Sequence, residues 1–177
     1  DYAKKVVSVI GDSTFVHSGI TGLINAVYNK TNTTLIILDN STTGMTGHQD
    51  HPATGITLKG ETTKRLLLDD LVKSCGVDDL HIVDAYDMAA VENAIKSACD
   101  YEGVSVIIAQ RPCVLKIKMA LPTYKIDNCK NCGMCMKIGC PAISKDGKRA
   151  VINPVQCVGC GLCTQMCKFG CIKQEEK

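Results

Sequence analysis

The sequence lacks any long apolar segment. None of its 177 residues belongs to a run of about 18 consecutive apolar residues, the length that a membrane-spanning helix needs. Residues 1–16 also lack the basic flank, apolar core and small-residue cleavage site of a secretory signal. These absences predict a cytoplasmic protein without a membrane partner. The first residue is Asp1 rather than Met, and an apolar run begins at Val6, so we expect a fragment or a processed chain.

Cysteine is the residue that the sequence has in excess. Twelve cysteines occur in 177 residues, and nine of them lie in the last 49 residues. A disulfide scaffold is typically short, secreted and cross-linked throughout, whereas the first part of this chain is apolar enough to build a core without cross-links. The distribution therefore indicates metal-bound thiolates rather than disulfides.

Residues 1–116 alternate strand-like apolar runs with helical periodicity, the pattern of a parallel sheet covered by helices. The predicted strands are residues 6–10, 34–38, 81–85 and 104–109, and the predicted helices are residues 16–28, 62–75 and 88–99. Residues 42–60 have no clear period and are expected to form a long loop after the second strand, at the sheet edge where such folds bind ligands. A connector of residues 113–121 and the change of composition after it predict a domain boundary near Pro122.

The C-terminal cysteines form an internal repeat. The first run reads CxxCxxC and is closed by a fourth cysteine before a proline, and the second reads CxxCxxCxxxC. This spacing lets a tight turn direct successive thiolates at one iron-sulfur cubane, and Gly133, Gly159 and Gly161 are expected to adopt the unusual backbone angles of such turns. Four sulfur ligands also suit zinc, which stays the alternative, but zinc sites rarely need three cysteines in one run. Two [4Fe-4S] clusters are therefore predicted.

In two-cluster ferredoxins, the fourth cysteine of each run binds the other cluster. We therefore assign Cys129, Cys132, Cys135 and Cys167 to the first cluster, and Cys157, Cys160, Cys163 and Cys140 to the second. The first run has four residues instead of three before Cys140, which requires a local bulge, and Lys168 stands where proline is expected. Cys171 is predicted to be a packed thiol rather than a ligand.

The charge of the chain is divided between its two parts. Residues 1–124 carry 11 basic and 14 acidic side chains, a net charge of −3, whereas residues 125–177 carry 9 and 4, a net charge of +5. A cubane with four thiolates has a formal charge of about −2, so two clusters would neutralise most of the positive excess. The basic residues are therefore interpreted as counter-ions, and no nucleic-acid partner is predicted.

Polar residues follow the first two predicted strands. Gly11, Asp12 and Ser13 end the first strand, and Asp39 and Asn40 end the second. Adjacent parallel strands would bring Asp12 and Asn40 side by side as hard oxygen ligands suited to Mg²⁺, and a diphosphate would complete the metal shell with help from N–H groups after Ser13. The alternative for either residue alone is that Asp12 caps a helix and Asn40 makes a turn.

These residues resemble a known family. The string GDSTF at residues 11–15, ILDN at 37–40 and STTGMTGHQ at 41–49 is similar to the thiamine diphosphate motif of thiamine-dependent enzymes. Over essentially the whole chain, the order of domains resembles the C-terminal part of the alpha subunit of indolepyruvate ferredoxin oxidoreductases. The resemblance implies an α/β thiamine diphosphate-binding domain at residues 1–121, a parallel sheet with helices on both faces, followed at residues 122–177 by a small α+β two-cluster bacterial-ferredoxin-like domain.

The resemblance also implies a set of site residues. Mg²⁺ would be bound by Asp12, the Asn40 side chain and the Thr42 backbone carbonyl, and Ser13 replaces the second glycine of the general GDG motif. The residues expected to bind thiamine diphosphate are Gly11, Asp12, Ser13, Asn40, Thr42, Gly44, Thr46, Gly47 and Gln49.

Histidines near thiamine often move protons, so His17 and His48 are predicted as catalytic residues. His51 is interpreted as a polar loop contact and His81 as structural. The remaining cysteines, Cys75, Cys99 and Cys113, are expected to be buried thiols.

The reaction implied by the resemblance is oxidative decarboxylation of an aryl 2-oxo acid such as indolepyruvate with coenzyme A. The products would be an acyl-coenzyme A, carbon dioxide and reduced ferredoxin. The aminopyrimidine-gripping domain that thiamine enzymes need does not fit in 177 residues, so a missing N-terminal domain or a second subunit is expected. The alternatives are a 2-oxoacid oxidoreductase of other specificity, a non-catalytic ferredoxin-type electron carrier, and a zinc-binding nucleic-acid module.

Overall fold

A computed structural model describes residues 5–117 and 122–175 of the chain. The chain divides into two compact units, residues 1–117 and residues 118–177. The predicted boundary lies between residues 121 and 122. Residues 118–121, which include the end of the predicted connector, lie outside the described ranges, so this boundary stays a prediction. Across the described ranges, every helix is too short or too polar to cross a membrane.

The first unit contains one parallel sheet of four strands among its described residues. The strands are β1 (Val6–Gly11), β2 (Thr33–Asp39), β3 (Asp79–Asp84) and β4 (Val104–Gln110), in the spatial order β1-β2-β4-β3. Their β-branched, apolar sequences suit a sheet buried between helices. The four predicted strands are confirmed, with end shifts of one or two residues.

Helices cover both faces of the sheet, as predicted. Helix α4 (Met88–Asp100) buries Ala94 and Ala98 against Ile107 of β4. The neighbouring strand residues Val106 and Ile108 face the other way and enter the larger core. The residues that line that core are Phe15, Leu23, Ile37, Ala53, Leu68, Val72, Val77, Val106 and Ile108.

The helical segment after β1 begins four residues earlier than predicted. It runs from α1 (Asp12–Thr14) through a π-helical turn (Phe15–Gly19) into α2 (Ile20–Tyr28). π-Helical turns inside helices are frequent at functional sites. Gly19, at the end of the π-helical turn, lies against β1, because a Cβ atom added there would be 2.8 Å from Ile10 Cδ1 and 2.9 Å from Phe15 Cδ2.

We expect Gly19→Ala to destabilise the first unit by about 1–3 kcal/mol, because the added methyl group must displace packed core side chains. Gly22→Ala is the matched control, since a Cβ atom at Gly22 meets nothing within 4 Å. Gly22→Ala should leave the stability of the first unit unchanged or raise it by up to about 1 kcal/mol, because alanine has a higher helix propensity than glycine. Thermal unfolding of both variants checks the difference, and equal melting temperatures would show that the helix does not approach β1 closely.

The predicted helix at residues 62–75 is wrong over its first half. Helix α3 is only Leu68–Ser74. The preceding residues are held in an extended conformation, because Thr63 N donates to Gly55 O at 2.9 Å and Leu66 N donates to Pro52 O at 3.0 Å. The residues just before α3 therefore form hydrogen bonds with the preceding loop and are not part of the helix.

The prediction of buried thiols is wrong for Cys99, which is exposed, whereas Cys75 and Cys113 are partly buried. Cys99 follows Ala98, and one residue along a helix turns the side chain by about 100° away from the buried face. Cys75 packs against the larger core. His81 lies 3.3 Å from Asp79 through its Nε2 atom on strand β3, in agreement with a structural role.

The second unit repeats a strand, a short helix and a strand. The first repeat has β5 (Tyr124–Ile126), a 3-10 helix (Met134–Ile138) and β6 (Ile143–Asp146), and the second has β7 (Arg149–Ile152), α5 (Leu162–Met166) and β8 (Ile172–Gln174). The strands pair antiparallel as β5 with β8 and β6 with β7. Each two-stranded sheet therefore combines one strand from each repeat.

Candidate cofactor sites

Asp12 lies directly after β1 and is buried. Its Oδ1 atom accepts a hydrogen bond of 2.8 Å from Ser13 N, and its Oδ2 atom lies 3.2 Å from His51 Nε2. Burial raises the pKa of the Asp12 carboxyl, and the nearby Asp39 carboxyl adds to this rise, whereas the hydrogen bond from Ser13 lowers it. Gly11 is the N-cap of α1 and no side-chain cap is present, so the alternative that Asp12 caps the helix is wrong.

Asn40 follows β2, the strand that pairs with β1 in register Gly11 to Leu38. Asn40 Oδ1 accepts a hydrogen bond of 3.1 Å from Thr42 N, which confirms the alternative that Asn40 makes a turn. A carbonyl oxygen has a second lone pair, so this turn leaves Asn40 Oδ1 able to bind a cation as well. Thr42 is buried beside it.

Asp39 was not predicted as a site residue. It is buried, and its Oδ1 accepts from Ser41 N at 2.9 Å, while its Oδ2 accepts from Gln110 Nε2 at 3.2 Å. Its carboxyl influences the pKa of Asp12, so two buried acidic groups are neighbours at this edge of the sheet. Neighbouring buried carboxylates repel one another unless a cation or a proton intervenes. This donor set of hard oxygens fits Mg²⁺.

The predicted loop closes over the ends of β1 and β2. Thr43 Oγ1 donates to Ser13 Oγ at 2.8 Å, which ties the loop to the first motif. Thr43 also forms a bridge with Gln49, and Gln49 contacts Thr46 through both ends of its side-chain amide. A Cβ atom at Gly44 would lie 3.4 Å from the Asn40 side chain. Five of the predicted cofactor-binding residues are thus in the loop, namely Thr42, Gly44, Thr46, Gly47 and Gln49. The other four, Gly11, Asp12, Ser13 and Asn40, lie at the strand ends.

The histidines occupy three different environments. His17 is exposed on the π-helical turn, one helical turn after Ser13. His48 has a φ angle of 64° in the loop, and its Nε2 atom is 3.9 Å from Cys113 Sγ. His51 is buried and contacts Asp12, so its interpretation as an ordinary loop contact understated its position. The sequence contains only a weak signal for this, a histidine before Pro52 and two residues after the matched string.

In the second unit, strand pairing brings each fourth cysteine to the opposite run. Cys167 precedes β8, and β8 pairs with β5, which leads into the first run. Cys140 precedes β6, and β6 pairs with β7, which leads into the second run. The segment with the extra residue before Cys140 contains the 3-10 helix, and Gly139, which caps that helix, has a φ angle of 69°. The fold therefore exchanges the fourth cysteines between the two runs.

Two separate cavities lie beside these cysteines. The first is lined by Cys129, Cys132, Cys135, Cys167 and Cys171. The second is lined by Cys140, Cys157, Cys160 and Cys163. Each group of four assigned thiols therefore surrounds one cavity.

The turns next to these thiols have left-handed backbone angles, and burial changes the pKa of one of the thiols. Gly133, Gly159 and Gly161 have φ angles of 73°, 68° and 75°, as the turn argument predicted. Burial and the nearby Cys160 and Cys157 thiols raise the pKa of Cys163 to about 11, so a metal binding there must displace a proton.

Cys171 is the additional cysteine at the first cavity. It is buried, and its Sγ atom donates to Asn128 O at 3.4 Å, while its backbone N–H donates to Cys167 Sγ at 3.2 Å. Its side chain thus has a partner other than a metal, and its backbone supports the Cys167 sulfur.

Comparison with known proteins agrees with this geometry. Residues 1–109 match the family described as thiamine pyrophosphate enzyme, C-terminal TPP binding domain, and residues 150–173 match the 4Fe-4S binding domain. A solved 2-oxoglutarate:ferredoxin oxidoreductase from Magnetococcus marinus covers 63% of this chain, and the chain covers 41% of it, with a TM-score of 0.52 at 20% identity. The predicted fold class is confirmed.

Curated relatives match both units together. The indolepyruvate oxidoreductase subunit IorA of Archaeoglobus fulgidus is 42% identical over 96% of this chain, and that of Pyrococcus horikoshii is 39% identical over 97%. The chain spans 29% and 28% of their lengths. The predicted resemblance is confirmed, and because the TPP-binding domain match covers more than half of the sequence, the chain belongs to the thiamine pyrophosphate enzyme family.

Proposed function

We propose that the chain is the cofactor-binding and electron-transferring part of a 2-oxoacid:ferredoxin oxidoreductase that acts on indolepyruvate. The reaction converts an aryl 2-oxo acid and coenzyme A to an acyl-coenzyme A and carbon dioxide, and two electrons pass to ferredoxin. The observation that carries the proposal is the presence of two cavities, each lined by at least four thiols, in the same chain as a thiamine pyrophosphate-binding domain. A decarboxylase that transfers no electrons has no use for such cavities.

Mg²⁺ is proposed to bind at the ends of β1 and β2. Asp12 supplies a buried carboxylate, Asn40 a side-chain oxygen and Thr42 its backbone carbonyl, while the Asp39 carboxyl adds negative charge. The pairing of Ser13 with Thr43 holds the loop across this position. His48 and His17 are the proposed proton carriers, and His48 is the better placed because it belongs to that loop.

When bound, thiamine diphosphate supplies the nucleophile and the electron sink for decarboxylation, and each cluster accepts one electron at a time. The chain contributes the cavities that surround the clusters. A zinc ion binds sulfur at about 2.3 Å and would draw four sulfurs to one point, whereas a cubane occupies a volume between them. The thiols that line cavities therefore favour two [4Fe-4S] clusters over zinc.

The proposed partners follow from the greater length of the curated relatives and from the charge of this chain. A missing N-terminal domain or a second subunit supplies the pyrimidine-binding surface, and a cytoplasmic ferredoxin accepts the electrons. Nucleic acid is not among the partners, because the positive charge of residues 125–177 is balanced by the clusters.

The proposal predicts about eight irons and one thiamine diphosphate per chain in anaerobically purified protein. Metal analysis and cofactor release on denaturation measure both. The assembled enzyme is expected to reduce ferredoxin only when indolepyruvate and coenzyme A are both present, and pyruvate and 2-oxoglutarate are the control substrates. Clusters without thiamine diphosphate would instead indicate an electron carrier, and colourless protein with zinc would overturn the redox role.

A further inference from the structure

The contact between His51 and Asp12 is the most buried polar contact at the proposed metal site. The exposed fractions of the two side chains are 1% and 3%, and His51 Nε2 lies 3.2 Å from Asp12 Oδ2. The other ring nitrogen of His51, Nδ1, is buried without a hydrogen-bond partner in the described part of the chain. Among residues 5–117 and 122–175, the carboxylate oxygen of Asp12 is therefore the polar contact found for this imidazole ring.

The backbone of His51 is fixed by a local turn. Thr54 donates to His51 O from both its backbone nitrogen and its Oγ1, each at 2.8 Å. The following residue, Pro52, accepts from Leu66 N at 3.0 Å. These bonds fix the backbone of His51 and Pro52, and from that backbone the imidazole Nε2 atom reaches the Asp12 carboxyl at the end of β1.

The two oxygens of Asp12 have different partners. Oδ1 accepts from Ser13 N at 2.8 Å, and this donor is set by the backbone alone. Oδ2 lies 3.2 Å from His51 Nε2, so His51 and Ser13 N contact opposite oxygens of the carboxyl group and together favour one rotation about its last bond, beside the neighbouring Asp39 carboxyl. The neutral tautomer with hydrogen on Nε2 suits this contact, because a bare Nε2 would place two lone pairs opposite each other.

We propose that His51 is a positioning residue for Asp12, whose Nε2–H holds the carboxylate in the orientation that binds a divalent cation. The inference rests on the proposed function, because the cation belongs to that site. Groups that hydrogen-bond to metal ligands typically contribute 10–100-fold to metal affinity, so about this effect is expected from His51.

Three substitutions separate this role from simple packing. In His51→Gln, the amide nitrogen reaches the position of Nε2 and can donate to Asp12. In His51→Asn, the amide reaches only the position of Nδ1, which has no partner, and His51→Leu keeps the volume without any donor. A purely structural role would affect the Gln and Asn variants alike, since both place a shorter amide in the same space.

The test uses the assembled enzyme, stripped of divalent cations, with Mn²⁺ as a paramagnetic stand-in for Mg²⁺. We expect Mn²⁺ titration followed by electron paramagnetic resonance to give a dissociation constant about 10–100-fold higher for the Asn and Leu variants, and within about tenfold of the natural protein for the Gln variant. Melting temperatures report the structural effect separately.

Equal Mn²⁺ affinity in all variants, or equal loss in the Gln and Asn variants, would overturn the positioning role. The failure of the broader proposal looks different. In that case the natural protein itself would bind neither Mn²⁺ nor thiamine diphosphate, and the positioning role would fall with it. The Gln and Asn variants differ by one methylene, so their comparison is informative even when the Leu variant does not fold.

Discussion

Replacing Cys132 and Cys167 together by alanine should remove only one cluster and leave about four irons per chain. Both thiols line the first cavity, so the second set of ligands stays complete. The paired variant Cys132→Ala with Cys140→Ala should lose both clusters, because Cys140 lines the second cavity. Iron and sulfide analysis of anaerobically purified protein, with spectra of the reduced clusters, measures the difference.

If the first double variant lost both clusters and the second lost only one, each cysteine run would bind its own cluster. In that arrangement, the variant lacking Cys132 and Cys140 keeps four irons and the variant lacking Cys132 and Cys167 keeps none. Two single variants complete the design. Cys167→Ala should keep about four irons, which shows that the unit tolerates the loss of one cluster, and Cys171→Ala should keep about eight, because Cys171 Sγ already donates to Asn128 O.

The strands were predictable because their signal is local. Runs such as residues 104–109 are mostly apolar and rich in β-branched residues, and in a sheet buried on both faces such runs have few alternatives. The helix expected at residues 62–75 failed for the opposite reason. The helical periodicity of this segment is genuine. However, Thr63 and Leu66 form hydrogen bonds with Gly55 and Pro52, about ten residues earlier, and such pairing cannot be recognised from the spacing of apolar residues.

The candidate metal site was only half predictable. Asp12 and Asn40 follow strand ends, so a parallel sheet alone brings them to one edge. Asp39 and His51 lie at the candidate site because they are buried there. Their burial depends on how residues 42–66 fold back over the strands. Histidine identity predicts a possible proton carrier, but not that His51 is buried against Asp12 while His17 is exposed.

The grouping of the cysteines around two cavities was predictable because the repeat fixes their order along the chain. The same repeat also indicates the backbone conformation of one further residue. Asn131 occupies the place in the first run that Gly159 occupies in the second, and its φ angle of 54° is similarly left-handed. Asparagine tolerates this conformation better than most residues other than glycine, so comparing the two runs position by position would have predicted it.

Asp12→Asn should abolish retention of Mg²⁺ and thiamine diphosphate while the protein keeps about eight irons. The substitution removes the anionic metal ligand, so the loss of metal affinity should exceed the roughly 100-fold that an outer hydrogen-bonding partner can contribute. The fold should persist, because the amide oxygen still accepts a hydrogen bond from Ser13 N and the amide nitrogen can donate to His51 Nε2 once the ring proton is on Nδ1. The substitution also removes a buried charge.

Asp50→Asn is the matched control for that variant. Asp50 lies one residue before His51 and pairs with Lys116 at 3.3 Å, but both side chains are about one third exposed. Its replacement should leave cofactor content within about twofold, since exposed ion pairs contribute little. Iron analysis, thiamine diphosphate release and melting temperature, measured on both variants, separate the two units. Full thiamine diphosphate content in Asp12→Asn would exclude the proposed metal site, whereas loss of iron in the same variant would mean that the clusters depend on the first unit.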